Sequence, residues 1–596
     1  VGKAKNLKSR VSSYFYKEVD RFKTKVLVSK IHDITYTVVN TEEDALLIEN
    51  QLIKQYKPKY NVLLKDGKTY PSICVTNEYF PRIFKTRTIN KHYGTFYGPY
   101  SHIGSMNAIL EIIKKVYKPR TCRYPITKEG IEQGKYKPCL EYHIHNCGAP
   151  CINKQSYEDY QEAIKQAREI LKGNTRNVQQ MLRLKMQKYA EEAVFAQVAK
   201  NLQPAFNRAN KSKRNAPFSD NLTSKQVREI MHRAMVQSER YRVLKSKGLS
   251  EDEIKQSFRT KVDMTLFSYH GDIDTVMTPM DSIRYVKSFL RTGFMSMDGL
   301  TGQVKAYVGG MNYNHFMYDM VMGGRRQIGS TIKPFLYALA MENGFSPCDK
   351  VMNVQQTYMV AGKPWTPKNG SKSRYGQLVT LKWGLAQSNN WISAYLINLL
   401  GPSQFVNILH DFGLNNPDID KYASPELCLG PSEASVGEMT SAYTTFANGG
   451  IRCAPLFVTK IEDSHGNVIA KFQPLMTEVI SEVSSYQMID MLRAVVQGGT
   501  ASRLRSAYNI NIDMGGKTGT TNNNADGWFM AITPNLVSGC WVGGEDRDIH
   551  FDNTSMGQGA SMALPVWAYF MQSVYADKRL GYRKDAKFAI PAKFNP

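Results

Sequence analysis

Gly329-Ser330-Thr331-Ile332-Lys333-Pro334 decides how this chain is read. Serine and lysine three residues apart share one helix face, so the spacing predicts that Lys333 Nζ reaches Ser330 Oγ. Pro334 fits the first turn of a helix that begins here, with Gly329 just ahead of it. A serine hydroxyl is a poor nucleophile until a base takes its proton. An amine can be that base only if burial or nearby positive charge lowers its pKa. A helix start also offers unpaired N–H groups to an anionic tetrahedral intermediate.

Two further strings follow in order, Ser388-Asn389-Asn390 and Lys517-Thr518-Gly519. A chain this long holds on the order of two Ser-x-x-Lys and two Ser-x-Asn matches by chance, whereas Lys-Thr-Gly is expected roughly 0.1–0.2 times, so the ordered set carries the weight. Strand patterns Gly293–Asp298 and Gln303–Val308 flank Gly299–Gly302, a hairpin signal, and Trp528–Ile532 and Leu536–Val542 form a second around Pro534-Asn535. Residues 334–450 read as mostly helical. Strands early and late around a helical middle predict an α+β domain with one sheet closed by both ends of the segment.

The contexts Gly324-Arg-Arg-Gln-Ile-Gly-Ser-Thr-Ile-Lys-Pro334, Gln387-Ser-Asn-Asn-Trp-Ile-Ser393 and Gly516-Lys-Thr-Gly-Thr-Thr521 extend the likeness past the bare motifs. Residues from about 260 to 580 resemble the transpeptidase domain of class A penicillin-binding proteins. The resemblance implies a serine β-lactamase-like fold, an antiparallel sheet with a helical subdomain, working without a cofactor on peptidoglycan stem peptides and β-lactams. It implies that Ser330 attacks the carbonyl between two terminal D-alanines with Lys333 as base. Ser388 relays a proton to the leaving D-alanine, and Asn390 holds the substrate backbone and Lys333. Lys517 receives the substrate carboxylate, which Thr518 and Thr520 hydrogen-bond, with Gly519 between them. The N–H groups of Ser330 and Thr520 form the oxyanion hole. A second stem peptide then takes the acyl group. No residue corresponds to the water-activating Glu of class A β-lactamases, so drug hydrolysis is not expected. The glycosyltransferase domain and membrane anchor that precede this segment in the family are not found in the sequence.

The chain has 596 residues and a formal charge of +25. Its first 192 residues hold roughly 34 Lys and Arg against 19 Asp and Glu, about +15 in all, which calls for an anionic partner such as nucleic acid. No apolar run approaches the ~18 residues of a membrane span, and no signal peptide is visible, so no transmembrane segment is expected. Four of the nine cysteines, Cys122, Cys139, Cys147 and Cys151, crowd one window; four thiolates hold zinc or an iron–sulfur cluster, and spacing does not choose between them. His143 and His145 read as polar surface rather than ligands. Near the start, Asp33–Val39 reads as a strand and Thr41 as the cap of a helix reaching Tyr56, with Ala45, Ile48, Leu52 and Ile53 at helical spacing.

Val1-Gly-Lys-Ala-Lys-Asn-Leu-Lys-Ser-Arg10-Val-Ser-Ser-Tyr-Phe15, Tyr56-Lys-Pro-Lys-Tyr-Asn-Val62 and the cysteine window resemble the N-terminal half of UvrC, the incising component of the excinuclease ABC system of DNA repair. The resemblance implies a GIY-YIG nuclease unit in which Arg10 stabilises the phosphate transition state, Glu49 binds a catalytic divalent cation (Mg or Mn) and Lys3 lies beside the scissile phosphate. It favours [4Fe–4S] over Zn at the four cysteines, with DNA and the excinuclease helicase subunit as partners. The Gly-Ile-Tyr strand is missing, so the nuclease is expected to be inactive as written. The domain plan is a GIY-YIG-like unit at 1–65, a UvrC-like region with the cysteines at 66–155, and the start of a UVR-like helical hairpin at 156–193. A linker-like connector at 194–262, the transpeptidase at 263–580 and a tail at 581–596 follow. Because the two families work in different compartments, the chain reads as a chimera of two truncated proteins, joined near residues 187–195.

Overall fold

The computed structural model describes all residues except 5–6, 16–25, 40–41, 60–69, 101–102, 144–145, 173–175, 422, 464–466, 593 and 595–596. Thr41, His145 and residues 60–62 of the Tyr56–Val62 string therefore lie outside the described residues. The chain divides into two units, Val1–Met181 and Leu182–Pro596.

In the first unit, helix α1 (Glu42–Tyr56) forms where the apolar spacing placed it. The strand expected at 33–39 does not form: these residues are largely exposed and pair with no described strand, and an extended segment without a ladder has nothing to hold it. A three-stranded antiparallel sheet follows, with β1 (Ser72–Thr76) between β2 (Ile83–Thr86) and β3 (Gly94–Tyr97). Every residue of β1 is buried. Helices α2 (Ile103–Tyr117) and α3 (Tyr157–Leu171) pack together beside it. Arg120, only 1% exposed, ties the unit together. Its guanidinium pairs with Glu78 and donates to Phe80 O (2.7 Å), Cys122 O (3.0 Å) and Tyr124 O (2.8 Å). A buried cation is tolerable only when its donors are satisfied in this way.

The second unit starts inside helix α4 (Arg176–Val194), which continues through a π-helical turn, Phe195–Leu202, into α5 (Gln203–Asn210). The region read as a linker is therefore folded. Val198, Leu202, Phe206 and Phe218 are at most 2% exposed and belong to the main apolar core, because the apolar residues of this polar stretch gather on one face of amphipathic helices. Helices α6 (Ser224–Gln237) and α7 (Glu251–Arg259) each begin with a capping box, at Thr223/Gln226 and Ser250/Glu253.

The central sheet has five antiparallel strands: β4 (Arg291–Asp298), β5 (Val304–Val308), β6 (Gly515–Thr520), β7 (Asp526–Ile532) and β8 (Leu536–Gly543), in the order β6-β7-β8-β4-β5. Both expected hairpins are present, β4 with β5 and β7 with β8, and the β8–β4 pairing closes the sheet across more than two hundred residues of chain. Six helices matter for the site or its support: α8 (Lys333–Glu342), α9 (Leu381–Ala386), α10 (Asn390–Leu400), α11 (Val436–Ala447), α12 (Glu482–Gly498) and α13 (Leu564–Ala576). Helices α11, α12 and α13 pack on the sheet, and α8 runs between α10 and α12. The stretch read as a tail from residue 581 is anchored at Phe588, which is buried and whose N–H donates to Asp513 Oδ2 at 3.2 Å. Among the described residues no single helix is long and apolar enough to cross a membrane.

Candidate active site

Ser330 sits on a single 3-10 turn, Gly329–Ile332, that leads into α8. Gly329 adopts φ +52°, and a Cβ there would come 3.0 Å from Thr520 O, so the turn lies directly against β6. Gly519 completes the fit from the strand side. A Cβ on it would meet Thr331 Cγ2 at 2.8 Å and Ile328 O at 3.0 Å, which requires the Lys-Thr-Gly strand to carry glycine at this position.

Lys333 is 0% exposed. Its Nζ donates to Ser388 O (2.7 Å), Asn390 Oδ1 (2.6 Å) and Ser388 Oγ (3.4 Å). Lys517 Nζ approaches Ser388 Oγ from the other side at 2.9 Å and also donates to Thr518 O at 3.0 Å. One hydroxyl thus lies between two buried amines. Burial pushes the Lys333 amine down to about 7, and burial together with Lys333 holds Lys517 well below the usual lysine range. The thiol of Cys428, fully buried nearby, is pushed up to about 12 by burial and interacts with Lys333.

The sequence spacing predicted a Lys333–Ser330 contact. The structure instead turns the Lys333 amine toward Ser388 and Asn390 and leaves Ser330 Oγ without a hydrogen-bond partner among the described residues. Helical spacing puts the two residues on one face, but the lysine side chain takes the stronger set of acceptors. Asn390 is likewise more committed than expected, since its Nδ2 donates to Lys368 O at 2.6 Å. Thr518 Oγ1 pairs with Thr500 Oγ1 (2.6 Å), and Thr520 Oγ1 accepts the Gly559 N–H (3.1 Å).

Ser388 has φ +54°, a left-handed conformation that costs a non-glycine residue about 1–3 kcal/mol and persists only where the surroundings enforce it. They do so here. Ser388 N–H donates to Leu385 O (3.0 Å) and Asn389 N–H to Gly384 O (2.9 Å), both at the end of α9. Asn389 Oδ1 caps α10 through Trp391 N–H (2.9 Å) and Ile392 N–H (3.1 Å). The strained turn aims the Ser388 carbonyl at Lys333.

A second buried network supports the strand edge. Asp526, at the start of β7 and 0% exposed, accepts from Arg326 Nε (2.8 Å), Trp541 Nε1 (3.0 Å) and Thr521 Oγ1 (2.9 Å). Arg326 belongs to the segment entering the Ser330 turn, so this pair links that turn to the sheet. No local pattern in the sequence marks it. Asp526→Ala leaves Arg326 Nε and the Trp541 indole N–H without their acceptor, and a loss of about 3–5 kcal/mol is expected in denaturant unfolding of this unit. A midpoint shift worth under about 1 kcal/mol would count against the pairing.

In the first unit, Arg10 is exposed with its guanidinium 5.2 Å from the Tyr14 ring centroid, and it forms no ion pair with Glu49. Glu49 Oε1 lies 3.9 Å from where a Cβ on Gly2 would stand, which brings the N-terminal string, including half-buried Lys3, alongside α1. All four clustered cysteines are free thiols. Cys147 is pushed up to about 11, by burial first and then by Cys122, Cys139 and Cys151, so the four lie within electrostatic reach of one another. Among the described residues, however, no three Cys, His, Asp or Glu side chains are placed to ligate a single metal ion. His143 ends a short helix, Leu140–His143.

Four family models match the chain. Residues 1–62 match the UvrC-like GIY-YIG domain, 70–170 the UvrC/Cho excinuclease middle domain, 213–290 the penicillin-binding protein middle domain and 292–538 the penicillin binding protein transpeptidase domain. UvrABC system protein C of Bacteroides thetaiotaomicron is 62% identical over 200 residues, covering 34% of this chain and 33% of that protein. The Porphyromonas gingivalis protein of the same name is 50% identical over 202 residues, 34% of each chain. The chain thus spans about a third of the length of the curated relatives it matches. Among solved structures, penicillin-binding protein 1A of Haemophilus influenzae superposes with a TM-score of 0.50 at 22% identity, over 69% of this chain and 67% of that one, a likeness of fold. Regions matching the UvrC-like GIY-YIG and excinuclease middle domains are thus followed along the chain by regions matching the penicillin-binding protein middle and transpeptidase domains.

Proposed function

We propose that the transpeptidase domain works as a serine D,D-transpeptidase through an acyl-enzyme on Ser330. The observation that carries this reading is the buried Lys333 amine, poised near neutrality and shared between Ser388 and Asn390 one turn from an unengaged serine hydroxyl. Ser330 Oγ attacks the carbonyl carbon of the bond between two terminal D-alanines, and its proton passes to Lys333. The tetrahedral intermediate, held by the N–H groups of Ser330 and Thr520, collapses to an ester and expels D-alanine, whose amine takes a proton through Ser388. An amine from a second stem peptide attacks the ester, forms the cross-link and frees Ser330. Lys517 faces the peptide's terminal carboxylate, with Thr518 and Thr520 beside it. A β-lactam performs the first step and stays bound.

The Lys333 base sets the pH dependence. Its ammonium form cannot accept the Ser330 proton, so acylation rises with pH through about 7 and levels off above it. A fluorescent penicillin reacted with the full chain from about pH 5 to 9, with the adduct located by mass spectrometry, tests both parts. The expected result is one adduct, on the peptide containing Ser330, formed at a rate that rises toward a plateau. A flat profile, or an adduct elsewhere, sinks the assignment.

For the first unit we read a DNA-binding module related to UvrC, in which the Arg10 guanidinium lies over the Tyr14 ring. The basic surplus supports an electrostatic grip on the phosphate backbone. Glu49 is the residue that would hold a divalent cation, Mg or Mn, beside Lys3. Cys122, Cys139, Cys147 and Cys151 would hold [4Fe–4S] or Zn. Four free thiols within electrostatic reach of each other suit a cationic centre in chemistry, although they are not gathered about one point. The excinuclease helicase subunit is the partner this reading implies.

A further inference from the structure

The chain between α8 and α10 carries groups that the reaction scheme leaves unused. Pro367, Lys368 and Asn369 run along the start of α10. Pro367 O accepts the Trp391 indole N–H (3.0 Å), Lys368 O accepts Asn390 Nδ2–H (2.6 Å), and Asn369 Oδ1 accepts the Asn390 backbone N–H (3.1 Å). The same segment is held again farther along by Asn353, which is 0% exposed. Asn353 Nδ2 donates to Ser373 O (3.0 Å) and Arg374 O (2.9 Å), and its Oδ1 accepts from Asn389 Nδ2 (2.8 Å). These contacts bind the segment to the strained Ser388–Asn390 turn.

A primary amide has an oxygen on one side and two N–H donors on the other. A backbone carbonyl only accepts, so Lys368 O fixes Asn390 with Nδ2 toward the segment and Oδ1 toward Lys333. We propose that Asn369 is a positioning residue of the transpeptidase site: by accepting the first N–H of α10 it keeps Asn390 where Lys368 O selects the amide orientation that points Oδ1 at Lys333. This rests on the reading of Lys333 as the acylation base. Asn369 touches neither Ser330 nor Lys333, and it acts through Asn390. Its own Nδ2 donates to Ser371 O at 2.9 Å, which leaves Oδ1 for α10.

Lys333 is faced by Lys517 from β6 and by the Cys428 thiol from the 3-10 turn Pro425–Leu429, and Asn369 hydrogen-bonds neither group. The sign of the effect follows. Asn390 Oδ1 favours the protonated lysine, so losing it lowers the Lys333 pKa, and a new carboxylate nearby raises it.

The test uses the full chain and two variants, Asn369→Ala and Asn369→Asp, with the rate of fluorescent-penicillin acylation measured against pH. Asn369→Ala is expected to react ~10–100-fold more slowly at its plateau, with its midpoint moved below that of the wild type. Asn369→Asp keeps an acceptor oxygen, so most of the rate returns, and its midpoint moves above. If Asn369→Ala does not fold, Asn369→Leu, which also offers no acceptor to the Asn390 N–H, takes its place with the same expected loss of rate and downward midpoint. Variants that react at the wild-type rate with the wild-type midpoint overturn the proposal, as does an Asn369→Ala rate loss with an unmoved midpoint, the mark of a merely structural role. A wild-type chain that takes up no penicillin at Ser330 removes the acylation reading itself, and this proposal with it.

Discussion

Replacing Ser330 by alanine is expected to abolish covalent capture of penicillin, with acylation falling on the order of 10⁴–10⁶-fold, the scale of losing the nucleophile in a serine acyl-transfer enzyme. Ser388 is not expected to substitute: it is held between Lys333 and Lys517 in a left-handed backbone turn, and its oxygen already accepts from both amines. The fold should not notice the change, because Ser330 Oγ makes no hydrogen bond among the described residues and Ser330 is only partly buried. Thermal unfolding of Ser330→Ala is therefore expected to match the wild type within experimental scatter, while the fluorescent band on a denaturing gel disappears. A variant that still labels would place the nucleophile elsewhere and end the mechanism proposed above.

Lys333→Met is expected to lower acylation by roughly 10²–10⁴-fold, the contribution of a positioned base, and to erase the rise with pH through neutrality. Here the stability effect is small for a reason opposite to that at Ser330. Lys333 is wholly buried, so its amine already bears the cost of leaving water, and Met is a similar length of apolar chain. Against that relief, Ser388 O and Asn390 Oδ1 lose their donor, about 1–3 kcal/mol each at most. The two terms nearly offset. Acylation kinetics and thermal melts on one preparation separate them: a rate that kept its pH midpoint in Lys333→Met would assign that titration to another group, with Lys517 the first candidate.

Features set by neighbours in the chain were legible without coordinates. The hairpins β4–β5 and β7–β8 follow from alternating strands around turn residues, and α1 follows from apolar residues at helical spacing. The three motifs named Ser330, Lys333, Ser388, Asn390 and Lys517 before any fold was drawn. Features set by distant partners were not legible. Asp33–Val39 has strand-forming residues but no partner strand among the described residues, and residues 194–262 look like a polar connector until their apolar faces meet the core. Nothing in the sequence around Asn353 and Asn369 announces their hydrogen bonds to Asn389 and Asn390.

Sequence by itself determined which reactive groups the chain holds and that a serine and a lysine share one turn, because that spacing is a property of a few consecutive bonds. Only the tertiary structure decided where the amine points and how far it is desolvated. Its acceptors lie 55 and 57 positions away, and the second amine reaches Ser388 from 129 positions away. Burial and hydrogen-bond partners fix the proton affinity of Lys333, and both are supplied by segments that meet only when the sheet closes.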